Sequence, residues 1–125
     1  MWKAFLKMEI RNNKNVVDFY MDSFREGDHE QTLSCLTDDV EWNIHGHKSI
    51  KGKEAFDMEI ENENFEGKPA ITVNRLIEEN NVVVAEGTVL AKPKNNPPVL
   101  LAFCDVFEFR EGKISKLTSY LTPMN

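Results

Sequence analysis

The chain has 125 residues, of which 41% are hydrophobic and 29% charged, and its formal net charge is -6. Residues 1–125 suit one globular domain, which at this size buries about two-thirds of its unfolded surface without metal or disulfide staples. The surplus of carboxylates repels phosphate backbones and anionic lipid, so neither nucleic acid nor a membrane is an expected partner.

Trp2, Phe5, Leu6 and Met8 are spaced loosely like one helical face and suggest a short leading helix. Lys3, Lys7 and Glu9 interrupt any signal-peptide core there. A clearer helix follows Asn12-Asn13, because Val16, Tyr20 and Phe24 recur every fourth residue with Val17 and Met21 beside them. Gly27 can take the left-handed conformation that ends it. Asp28 then caps a second, shorter helix, with Gln31 placed to complete a capping box and Leu33 and Leu36 as its buried side. Asp38-Asp39 breaks the pattern and reads as a solvated turn. In VEWNI, Val40, Trp42 and Ile44 point one way and Glu41 and Asn43 the other, which predicts a strand.

After a turn at SIKG, residues from Lys53 to about Asn62 read as a helix with Phe56 and Ile60 one turn apart. ITVNRLI and VVVAEGTVLA are strands joined at Glu79-Asn80-Asn81, since asparagine tolerates positive φ. KPKNNPP is a loop, because adjacent prolines cannot donate to a ladder. LLAFCDVFEF and KISKLTSYL are two further strands, joined through Arg110-Glu111-Gly112. The order predicts an α+β fold with a mostly antiparallel sheet. No apolar run is long enough for a membrane span. Cys35 and Cys104 read as reduced core thiols, so the expected location is the cytoplasm.

One parity of the strand LLAFCDVFEF carries Leu101, Phe103, Asp105, Phe107 and Phe109, which sets a carboxylate in the middle of an apolar face. An ionised, unpaired carboxylate is costly to bury. Asp105 is therefore paired, or protonated with a raised pKa, or solvated. A few polar groups in an apolar hollow also describe a small-molecule site.

The run from Val16 through Phe56, with EGD, LTDDVEW and IKGKEAF, together with the closing FCDVFEFREGKISKL, resembles the nuclear-transport-factor-2-like superfamily, in its polyketide-cyclase-like and ketosteroid-isomerase-like branch. The resemblance implies a cone-shaped half-barrel, a strongly curved sheet wrapped around a long N-terminal helix, with a pocket between them. It also implies dimers that pair through the outer sheet face. Mapped onto this chain, the pocket takes Tyr20 and Phe24 from the helix, Trp42 and Ile44 from the first strand, Phe103, Asp105 and Phe107 from a later strand, and Tyr120 as a wall residue from the last.

Ketosteroid isomerases remove a proton beside a ketone with one aspartate, while a tyrosine and a protonated aspartate hydrogen-bond the enolate oxygen. Tyr20 and Asp105 match those two donors. The base has no match, because its position falls on Ile44 or Asn43, neither of which takes a proton from carbon at neutral pH. His45, His47 and Glu86 are the candidate substitutes, although strand parity turns His45 away from Trp42 and Ile44.

His45-Gly46-His47 has metal-pair spacing but no third ligand, so a loop-edge pair is the better reading. Epoxide-hydrolase relatives use an Asp-Arg-Asp set; here Arg75 and Asp105 match two members and a second aspartate is wanting. No metal and no cofactor is expected. The function expected is binding of a small, mostly apolar, oxygen-bearing molecule in an enclosed pocket. An enzymatic form would be a cofactor-independent isomerase, cyclase or dehydratase acting through Tyr20 and Asp105. The alternative is a dimerisation or scaffold module with a vestigial cavity.

Overall fold

The computed structural model describes residues 12–124, so the expected leading helix at Trp2–Met8 lies outside the described residues. Helix α1 spans Asn13–Glu26. The Asn12 side chain starts it by accepting from the Asn15 amide at 2.8 Å, satisfying one of the amides a first turn leaves without a partner. Gly27, at φ 71°, closes it with its N–H on the Phe24 and Ser23 carbonyls. Val16, Val17, Tyr20 and Met21 form its buried stripe. Helix α2, His29–Ser34, is capped by Asp28, whose carboxylate accepts from the Gln31 amide at 3.1 Å.

Strand β1 runs Leu36–Ile44, β2 Lys48–Lys51, and helix α3 Lys53–Ile60. Four longer strands follow: β3 Ala70–Glu79, β4 Val82–Ala91, β5 Val99–Arg110 and β6 Lys113–Pro123. Three expectations are corrected here. Leu36 is the first, fully buried residue of β1 and not the end of a helix. The segment before Lys53 is itself a strand, because Trp42 pairs with Ile50 and Ile44 with Lys48. Asp38 and Asp39 lie within β1, exposed, and meet Lys53 at 3.5 Å and Arg110 at 2.6 Å.

The sheet order is β2-β1-β6-β5-β4-β3, with β1 and β6 parallel and every other pair antiparallel. The register shifts between Leu36 and Glu41, between Val73 and Arg75, and between Glu108 and Phe109. Such bulges raise local twist and bend a sheet, which here wraps towards α1 and α3. Asn80 and Asn81 turn the β3–β4 hairpin at φ 50° and 64°. The core joins α1 to the concave face, with Phe56, Phe107, Leu36, Ile114 and Leu117 fully buried. This is the α+β fold that the order of elements predicted, in the curved half-barrel form that the resemblance implied. Among the described residues no helix is long and apolar enough to cross a membrane.

Candidate functional site

Alternation along β5 turns Phe103, Asp105 and Phe107 to the concave face. Asp105 lies opposite Ala85 on β4 and Ser119 on β6, two short side chains that leave room around its carboxyl. Part of the residue's surface remains accessible, yet the carboxyl sits where most solvent is excluded. Burial pushes its pKa up to about 7, against a hydrogen bond from Ser119 that favours the ionised form. Tyr20 on α1 is buried beside it. Burial raises the phenol well above its usual range, and the charges of Asp105 and then Cys35 raise it further. The charge of Asp105 thus reaches the phenol of Tyr20 through the interior, although the two are 85 positions apart in the chain.

In front of them stands an aromatic layer. Trp42 stacks on Phe56 with ring centroids 4.9 Å apart and an interplanar angle of 28°. Phe24 meets Trp42 edge-on at 5.9 Å, and Tyr20 packs on Phe24, Phe56 and Phe107 at 5.9, 6.2 and 5.4 Å. The Trp42 indole N–H donates to Ser119 Oγ at 2.9 Å. On the other side of that layer opens a cavity of about 560 Å³. Phe24, Trp42, Ile44, Ile60, Ala91 and Leu121 form its apolar walls, and the segment from Glu61 to Pro69 roofs it. Neither Tyr20 nor Asp105 borders the cavity.

Of the residues expected at the pocket, Phe24, Trp42 and Ile44 therefore line it, whereas Phe103 and Phe107 are buried in the core behind it. Tyr120 is on the opposite face, 46% exposed and packed against His45 with ring centroids 5.0 Å apart. The cause is the bulge at Glu108/Phe109. Counted straight back from the Arg110–Lys113 pair, Tyr120 would face Phe103; the shift places it opposite Cys104 and brings Ser119 to Asp105.

The substitute bases also sit outside. Glu86 pairs with Arg75 at 2.7 Å on the convex face, which separates Arg75 from Asp105, and His45 and His47 are exposed. Of the two positions onto which the isomerase base could map, Ile44 lines the cavity with an alkyl side chain and Asn43 does not line it.

The arrangement is a bent sheet, a capping helix and a lateral cavity, and the chain matches the model of the SnoaL-like domain over residues 16–117. It belongs to that family. The SnoaL-like fold is also that of an NTF2-like protein of unknown function from Burkholderia pseudomallei K96243, 18% identical over 90% of this chain and 92% of that one, with a TM-score of 0.80. An LEH-like epoxide hydrolase from M. tuberculosis is 18% identical over 86% and 80%, at a TM-score of 0.75. A protein described as a SnoaL-like polyketide cyclase, from Shewanella denitrificans OS-217, is 10% identical over 88% and 90%, at 0.77. No curated protein matches the chain. Identities this low establish the fold alone.

Within this SnoaL-like domain, sequence reasoning missed Ser119 and Leu121, which share the concave face of β6 with Leu117. A straight count from the turn assigns Thr118 and Tyr120 to that face, so only knowledge of the bulge could have found them. It also missed the roof. Phe65 pairs with Pro93 across an isolated bridge, and the Glu66 amide donates to the Lys92 carbonyl at 2.7 Å. From sequence, KPKNNPP read as a loop, and the stretch between Asn62 and Ala70 carried no assignment.

Proposed function

We propose that this domain binds a small, mostly apolar, oxygen-bearing molecule in the cavity beside Trp42. One observation carries the reading: a hollow of about 560 Å³ has Phe24, Trp42, Ile44, Ile60 and Leu121 as walls, with Glu61, Glu63, Glu66, Lys68 and Lys92 at its exposed mouth. Pockets of this size, largely apolar with polar groups at one end, suit compact organic ligands. The one Trp42 donor is committed to Ser119. With the indole in that position, the oxygen of the ligand meets the charged mouth and its apolar body fills the interior. Fold relatives described as a polyketide cyclase and an epoxide hydrolase agree with a small organic ligand and do not choose one. Pairing of two copies through the convex sheet face belongs to the same reading, supported by Ile77, Leu100 and Tyr120 exposed there. So does a reducing, cytoplasmic setting, which suits Cys35 and Cys104 as thiols.

A panel of alicyclic and aromatic ketones and alcohols, titrated against tryptophan emission, tests the binding. Saturable quenching is expected, weakened about tenfold or more by Leu121→Glu, which sets a charge on the apolar wall at an exposed position the fold tolerates. If no member of the panel saturates, the scaffold reading with a vestigial cavity takes its place.

A second reading is cofactor-free proton transfer of the isomerase or cyclase type. It is favoured by an acid whose pKa lies near 7 next to a buried phenol, since proton transfer is most effective when the group's pKa lies near the working pH. It requires the substrate to displace Trp42 and reach Asp105. With a β,γ-unsaturated ketone as substrate, Tyr20→Phe should lower turnover about a hundredfold, as loss of one oxyanion donor does. Turnover that is absent, or equal in both proteins, removes this reading.

A further inference from the structure

Three side chains from three strands meet behind the cavity wall. Trp42 on β1 donates to Ser119 Oγ at 2.9 Å, and Ser119 on β6 pairs across the ladder with Asp105 on β5, where its hydroxyl favours the ionised carboxyl. The register fixes the set, because Ser119 lies opposite Asp105 across one ladder and beside Ile44 across the other. Ser119 is 3% exposed, so no water replaces it at either bond.

We propose that Ser119 is a positioning residue that passes the ionisation state of Asp105 to the Trp42 wall of the cavity. This deepens the pocket reading by naming a regulation of the same site, and rests on it only for the effect on a ligand. The physical basis is the single proton of the serine hydroxyl. A carboxylate only accepts, so an ionised Asp105 draws the hydroxyl proton towards itself. The oxygen of Ser119 then turns its lone pairs to the indole N–H, and the chain Trp42 to Ser119 to Asp105 runs in one direction, each link polarising the next. A protonated Asp105 donates to Ser119 instead. The serine proton is released, and the indole bond loses that reinforcement. Trp42 is thus held more firmly across the aromatic layer when the acid is charged.

Few other groups intrude. From α1, the group that senses the charge of Asp105 is Tyr20, whose pKa is far above the neutral range. Beside it on β5 is Cys104, raised by burial first and then by Asp105 and Glu86. β4 presents Ala85, and β1 presents Ile44 and Trp42. His29 titrates on the surface between α2 and α3, in contact with Asp57 and Glu61 and not with this chain of bonds.

The test needs no ligand, so its failure is separate from failure of the pocket reading. In a Trp2→Phe background Trp42 is the remaining tryptophan. Its ¹⁵N-labelled indole N–H resonance and the ¹³C resonance of the Asp105 carboxyl are followed together against pH. The indole signal should shift with the same midpoint as the carboxyl, near 7. Asp105→Asn should abolish the shift. Ser119→Ala should flatten it although Asp105 still titrates, and Ser119→Thr, which keeps the hydroxyl, should restore it. An indole signal that stays still while the carboxyl titrates overturns the proposal, and so does a full-sized shift in Ser119→Ala. Should Ser119→Ala fail to fold, the wild-type comparison and Asp105→Asn decide the matter.

Discussion

At Asp105 two effects oppose each other. Burial favours the neutral acid, the hydroxyl of Ser119 favours the carboxylate, and burial wins, leaving a pKa of about 7. The folded value lies above the unfolded one, near 3.9 for a free aspartate. The native state therefore binds more protons in the interval between them. The stability this group contributes is complete below the unfolded value and is lost as pH rises through about 7. Ionisation then costs up to about 4 kcal/mol relative to the neutral acid. Asp105→Asn removes the charge at almost constant shape. It should raise stability by about 1–3 kcal/mol more around pH 8 than around pH 4, read from urea unfolding at the two conditions. Equal effects at both would mean the carboxyl is not desolvated. The presence of an acid on the concave face was legible in the alternation of LLAFCDVFEF. Its partner was not, because Ser119 reaches it through a register set by a bulge that no local pattern announces.

Between β3 and β4 there is no room for a side chain at Gly87. A Cβ added to Gly87 would lie 1.9 Å from the Thr72 carbonyl oxygen and 3.1 Å from a ring carbon of Phe103. Backbone cannot yield as a side-chain tip does, so Gly87→Ala should cost at least about 2 kcal/mol, seen as a lowered denaturant midpoint. An unchanged midpoint would show that the strands can separate there without cost. Helices α2 and α3 are joined differently. His29 bonds Asp57 Oδ1 through Nδ1 and Glu61 Oε1 through Nε2, each at 2.6 Å. Both nitrogens can donate only in the imidazolium, and the two carboxylates raise the pKa of the ring, Asp57 most. Its contribution is present below about pH 6.5 and is lost as pH rises through the raised folded value. The pairs are partly exposed and screened, so His29→Gln should cost under about 1 kcal/mol near pH 6 and less near pH 9. The opposite order in denaturation at those two conditions would exclude a charged clip. This junction borders the cavity, since Glu61 lines it and packs beside Gly27. No local pattern singles out His29, because its two partners lie 28 and 32 positions further along the chain.

Across the whole molecule, the chain read by itself determined the class of fold. The fourfold spacing of Val16, Tyr20 and Phe24, the caps at Asp28 and Gly27, the twofold alternation of the later strands and the Asn80-Asn81 turn depend on neighbours within a few residues. Local sequence therefore carries them directly. The family resemblance drew on the same local runs. Tertiary structure alone decided which faces meet. The short segment at Lys48–Lys51 becomes a strand only because β1 offers it an edge. Tyr120 leaves the concave face, and Ser119 joins it, because one bulge slips a ladder by one residue. The cavity opens beside Trp42 and not over Tyr20 and Asp105, because three aromatic rings from three separate elements close in between. Each of these outcomes depends on contacts between residues far apart in the chain, where a single-residue change of register reverses the side a residue faces.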